Sequence, residues 1–143
     1  MGMSSPRIEE VALELGGPGA GPSGVAAAHW LGLTSQVPAT YVTSVPRRVP
    51  KPWGRIRFTQ RPVERLIRSL TPSEVAVLEV LRDGPSVVEF GWVRFTDVVE
   101  QLATAGTIRV DVLDRQVRDE PHRAARARWA DVRQALFEDV SAA

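Results

Sequence analysis

The chain has 143 residues, 43% of them hydrophobic and 24% charged, with a formal net charge of +1; this is the composition of one globular domain able to bury a real core. No run approaches the roughly 18–20 apolar residues needed to span a bilayer, and the opening MGMSSPRIEE lacks the basic-then-apolar pattern of a secretory signal. Cysteine is absent, which excludes a disulfide framework and any thiolate metal site, so the expectation is a cytoplasmic protein without metal or cofactor.

Residues 7–15 place Ile8, Val11, Ala12 and Leu15 at helical spacing, and Gly16-Gly17-Pro18 stops the helix. Residues 16–21 read as a short, flexible, glycine-rich connection, which sets an N-terminal piece (1–21) ahead of a single domain (22–143). Pro22 suits the first turn of a second helix, where its missing N–H costs nothing. Residues 25–31 are small and apolar, so this helix can lie close against a neighbour. Gly32 fits a left-handed helix-ending position, and Pro38 prevents the helix from resuming. Residues 40–45 are rich in β-branched side chains and read as a strand. PRRVPKPWG then reads as a wide turn, and residues 55–59 as a strand in which Ile56 and Phe58 alternate with Arg55 and Arg57. Together these predict an antiparallel β-hairpin with a basic tip and a basic outer face.

Residues 62–69 predict a short helix with Val63, Leu66 and Ile67 on one side. Thr71-Pro72-Ser73-Glu74 is the clearest local signal: Thr71 can cap the backbone, Pro72 takes the first helical position and Glu74 can complete a capping box. The helix it opens carries Val75, Val77, Leu78 and Leu81 inward and ends near Gly84-Pro85. With Leu66 and Leu70 this face is expected to form the main core. Residues 86–90 suit either an extended segment or a loop. Residues 93–105 predict a helix with Phe95, Val98, Val99 and Leu102 on one face, and residues 109–118 another. Pro121 opens a last helix to about Val140, striped by Ala125, Trp129, Val132 and Leu136. The expected class is α+β, a small antiparallel sheet (hairpin 40–45 and 55–59) packed with several α-helices; no strand–helix–strand alternation supports a doubly wound sheet.

Catalytic and cofactor motifs fail their context tests. Gly19-Ala20-Gly21-Pro22-Ser23-Gly24 has the spacing G-x-G-x-x-G, but a helix precedes it, Pro22 removes an N–H donor, and no acid occurs between Glu14 and Glu64 to hold a ribose. Val25 stands where a Walker loop has lysine. Gly21-Pro22-Ser23-Gly24-Val25 also lacks the final glycine of a nucleophile elbow. His29 sits in an apolar helix and His122 at a helix start, so two isolated histidines make neither a triad nor a metal site. Asp119 and Glu120 read as a solvated first-turn pair. Residues 75–81 and 93–105 superficially suggest a helix-turn-helix, yet the link between them far exceeds the usual 3–4 residues, and the region is acidic. No enzyme is expected.

Charge is distributed unevenly. Residues 47–68 hold Arg47, Arg48, Lys51, Arg55, Arg57, Arg61, Arg65 and Arg68 against the single acid Glu64, a local charge of +7, whereas residues 69–122 hold ten acids against five arginines. Arg47, Arg48, Lys51, Arg55, Arg57, Arg61 and Arg65 are therefore the candidate contact residues for nucleic acid or an acidic partner, with Trp53 and Tyr41 as aromatic additions. Phosphate contacts of this kind give affinity without sequence choice and weaken with salt. A basic surface that is merely solvated, or that pairs with the acidic helices, stays open as well.

GPSGVAAAHWLGLTSQVP, RIRFTQR and TPSEVAVLEVLRD together resemble the antitoxin region of AbiEi-type proteins, over about residues 11–136. These are the antitoxin halves of bacterial toxin–antitoxin pairs whose toxins are nucleotidyltransferase-like. Family members usually begin with a winged-helix DNA-binding domain of several dozen residues, for which there is no counterpart before Pro22. The resemblance implies an antitoxin whose partner is the cognate toxin, countered directly or functionally, with transcriptional regulation through DNA as a family trait. The alternative is a nucleic-acid-binding regulator using the basic hairpin; a shortened remnant of a longer antitoxin is a third possibility.

Overall fold

A computed structural model describes residues 7–142, with the side chains of the last helix described as far as Leu136. The elements are α1 (Ile8–Gly16), β1 (Gly21–Pro22), α2 (Val25–Trp30), β2 (Tyr41–Val45), β3 (Ile56–Gln60), α3 (Glu64–Ile67), α4 (Pro72–Asp83), α5 (Trp92–Thr104), α6 (Val110–Asp119) and α7 (Arg123–Ala142), with a 3-10 turn at Gly84–Val87. The class is α+β, seven helices with a small mixed sheet among the described residues. None of the helices is long and apolar enough to cross a membrane.

α4 is the axis of the molecule. The capping box at Thr71 forms as the sequence predicts: the Thr71 hydroxyl accepts from the Glu74 N–H at 3.2 Å, and the Glu74 carboxylate accepts from the Thr71 N–H at 2.9 Å. Every residue from Glu74 to Leu81 is buried, because α2, β1 and α7 all pack against the helix. Burial all round goes beyond the single inward face expected of it. The main core joins Val75, Val77, Leu78 and Leu81 to Leu70, Phe95, Val99, Leu113, Trp129 and Val132. Leu66, expected in it, is half-buried and is not part of this core. Val140 lies outside the described side chains.

The sheet corrects two expectations. Its order is β1-β2-β3, with β1 antiparallel to β2 but β2 parallel to β3, in the register Tyr41↔Ile56 to Val45↔Gln60. There is no hairpin. The connection 46–55 has ten residues, enough to reach about 33 Å when extended. It need recross only about 17 Å of strand, so it can return the chain to the start of β2 and leave β3 running the same way. It then folds sharply at Trp53–Ile56, where the two backbones exchange hydrogen bonds of 3.1 and 2.9 Å.

The second concerns the glycine-rich connection, which is packed into the fold. Gly19 to Ser23 are buried, and Gly21–Pro22 is itself the strand β1. A Cβ at Gly21 would lie 2.5 Å from Val75 Cβ, so glycine is what lets β1 press against α4. α1 packs on the sheet through Ala12, Ala26, Tyr41 and Ile56, a second, smaller core.

α3 reverses its expected face. Val63 and Ile67 are 51% and 72% exposed, while Arg65 is fully buried. The reason is electrostatic and lies in other elements.

Candidate functional site

The seven predicted contact residues separate into two groups. Arg65 Nη2 lies 2.9 Å from Glu79 and 2.6 Å from Glu120, and its Nε donates to Glu120 at 3.0 Å. Arg61 forks onto the same Glu79 at 2.8 and 2.9 Å. Ser23 donates its hydroxyl to Glu79 at 2.6 Å, and Gln116 donates to Glu120 at 2.8 Å. Glu79 and Glu120 are each 1% exposed. Burial alone raises a carboxyl's pKa, but the charge of Arg65 and the hydrogen bonds from Arg61 and Ser23 win, holding Glu79 at about 2. Two buried carboxylates thus draw Arg65 fully inward and neutralise the partly exposed Arg61.

Arg47 is also employed within the fold. Its Nε and Nη2 donate to the carbonyls of Gly16 and Leu15 at 3.1 and 3.2 Å. α1 has no basic residue in its last turn, and Arg47 supplies both the missing donors and the positive charge that a helix C-terminus favours.

Arg48, Lys51, Arg55 and Arg57, exposed like Arg47, lie on the 46–55 connection and the edge strand β3. Arg55 donates to the Pro38 carbonyl at 2.9 Å and Arg57 to the Gly54 carbonyl at 2.7 Å. These bonds fix the guanidinium groups without neutralising them. Among the described residues none of the four is within ion-pair distance of a carboxylate. Trp53 lies between Lys51 and Arg55 in the chain, 60% exposed, beside a crevice of about 340 Å³ lined by Ile8, Val11, Gly54, Arg55 and Ile56. Tyr41 does not join it: the ring is 4% exposed, and burial, then the charge of Glu9, push its hydroxyl pKa up.

The histidines hold separate places. His29 is exposed on α2. His122 caps α7, its Nδ1 accepting from the Ala125 N–H at 3.1 Å. Desolvation, then the charges of Arg82 and Arg128, lower its pKa and favour the neutral ring that capping needs. Glu120, expected to be solvated, is instead the buried partner of Arg65, whereas Asp119 is partly exposed and pairs with Arg68 at 2.6 Å. No group of three or more potential metal ligands occurs among the described residues.

Sequence reading missed the Ser23–Glu79–Arg61 and Arg65–Glu120 network, whose partners are separated by up to 56 residues. It also took Ile8 and Val11 only as part of a helical spacing pattern, and so missed the crevice beside Trp53. No protein-family profile, curated protein or solved structure matches this chain.

Proposed function

We propose that this chain is the antitoxin of a bacterial toxin–antitoxin pair, counteracting a nucleotidyltransferase-like toxin directly or functionally, and that it is not itself an enzyme. One observation carries the reading. The three stretches that resemble AbiEi-type antitoxins meet at a single buried carboxylate: Ser23 from the first and Arg61 from the second both bind Glu79 from the third. Residues that converge on one buried anchor constrain one another, so this resemblance falls on the framework of the fold and not on scattered surface positions. Co-expression with the nucleotidyltransferase-like protein encoded beside it is expected to restore growth. No rescue at matched expression would overturn the reading.

A second reading, a nucleic-acid-binding regulator located in the cytoplasm, is favoured by the unneutralised cations of the 46–55 connection and β3, together a basic ridge. Four cations that each engage a phosphate give a slope of log K against log salt of about −3 to −4. Reversing Arg48, Lys51 and Arg57 to Glu is expected to abolish a salt-sensitive mobility shift with DNA. Absence of any shift at low salt with the unaltered chain would remove this reading.

A further inference from the structure

We propose that the ridge takes unpaired bases of a single-stranded nucleic acid, with Trp53 as the stacking platform. The inference rests on the nucleic-acid reading above and narrows it from any polyanion to one class.

The platform is rigid. Trp53 exchanges both backbone hydrogen bonds with Ile56, Gly54 takes the positive φ of 58° that this tight turn demands, and Ile56 is buried in register with Tyr41. The indole is nevertheless 60% exposed, at the mouth of an apolar crevice floored by Ile8, Val11 and Ile56. A flat aromatic surface beside an apolar slot suits a planar ring. The nearby cations Lys51, Arg55 and Arg57 suit phosphate, and Arg55 belongs to both, lining the crevice while its charge remains unpaired. Two of the acids of α1, Glu9 and Glu10, line a separate groove with His29 and Trp30, although Glu9 is near enough to Tyr41 to influence it.

A nucleotide offers a ring and a phosphate at once, but in a duplex the ring faces are stacked and only the phosphates are presented. A single strand can turn a base onto the indole while its backbone follows Lys51, Arg55 and Arg57, the combination used by sequence-tolerant single-strand binders. An acidic polypeptide would satisfy the cations and leave the crevice empty.

The test is fluorescence anisotropy of the whole chain with a labelled 15-nucleotide oligothymidylate, a duplex of equal length, an abasic strand of equal length and polyglutamate, at low and moderate salt. The single strand is expected to bind most tightly and to quench tryptophan fluorescence. Trp53→Ala is expected to weaken it by roughly tenfold to a hundredfold while leaving duplex and abasic binding unchanged, and Trp53→Phe to retain most of the affinity; far-ultraviolet circular dichroism checks that both variants fold. Equal affinity for single strand and duplex, insensitive to Trp53→Ala, would overturn the stacking proposal and leave the basic ridge as a phosphate-binding surface. Binding of polyglutamate as tight as that of the oligonucleotide would overturn it too. Failure to bind any nucleic acid at low salt would overturn both this proposal and the reading it rests on.

Discussion

Replacing Glu79 by Gln keeps the outline of the side chain and removes its charge, leaving Arg61 and Arg65 against a neutral amide at a position 1% exposed. The expected cost follows by two routes. The carboxyl is held at about 2 against an ordinary 4.5, burial being outweighed by Arg65 and Arg61. A carboxyl depressed in the folded state contributes stability that is complete above its unfolded value and is lost as pH falls through its folded one. The gap corresponds to about 3 kcal/mol at pH 7. Independently, removing one partner of a buried ion pair costs about 3–5 kcal/mol. Urea unfolding at pH 7 is therefore expected to show Glu79→Gln less stable by about 3 kcal/mol. The difference should shrink to roughly half near pH 3 and almost vanish near pH 2, since protonated Glu79 resembles Gln. The other carboxyls titrate in both proteins and largely cancel. A loss below about 1 kcal/mol at pH 7, or one that does not change between pH 7 and pH 3, would refute the argument that this carboxylate anchors the three stretches by its charge.

Two further substitutions probe the local geometry. Thr71→Ala removes the acceptor of the Glu74 N–H but leaves Glu74 held by Arg109 at 2.7 Å, so a loss of about 1 kcal/mol and a melting temperature a few degrees lower are expected; an unchanged melting curve would refute the capping role. Gly21→Ala places a methyl 2.5 Å from Val75 Cβ and 3.2 Å from the Pro72 carbonyl, whereas Gly24→Ala meets open space and only the strain of φ +61°. The first is expected to cost about 1–3 kcal/mol or more and the second about 1 kcal/mol. Equal urea midpoints for the two would show that β1 does not press on α4 as described.

What could be read from the sequence depended on how far apart the deciding residues lie. The start of α4 is settled by Thr71, Pro72 and Glu74 within one turn, and it appears as predicted. Helices α5 to α7 likewise follow from apolar spacing within each segment. The direction of β3 carries no such local signal: alternation of Ile56 and Phe58 with Arg55 and Arg57 is the same in either orientation, and the connection 46–55 is long enough for both. α3 misled for a related reason. Val63, Leu66 and Ile67 make an ordinary inward face, but burying Arg65 satisfies Glu79 and Glu120, which stand 14 and 55 positions further along. An uncompensated pair of buried carboxylates costs far more than exposing two aliphatic side chains, so the charge decides which face turns in.

The same distinction divides the basic segment. Its excess of positive charge was visible at once, but the assignment of each cation was not, because the groups that claim Arg47, Arg61 and Arg65 lie on α1, α4 and the link before α7. Once Arg61 and Arg65 are taken up by carboxylates and Arg47 is held on the end of α1, the unpaired cations flanking Trp53 in the chain are Lys51, Arg55 and Arg57. The loss sharpens the chemistry. Seven dispersed cations would favour any polyanion, whereas Lys51, Arg55 and Arg57 beside one exposed indole and an apolar crevice add a requirement that phosphate alone does not meet. Affinity at this ridge should therefore divide into a part that falls with salt and a part that depends on Trp53.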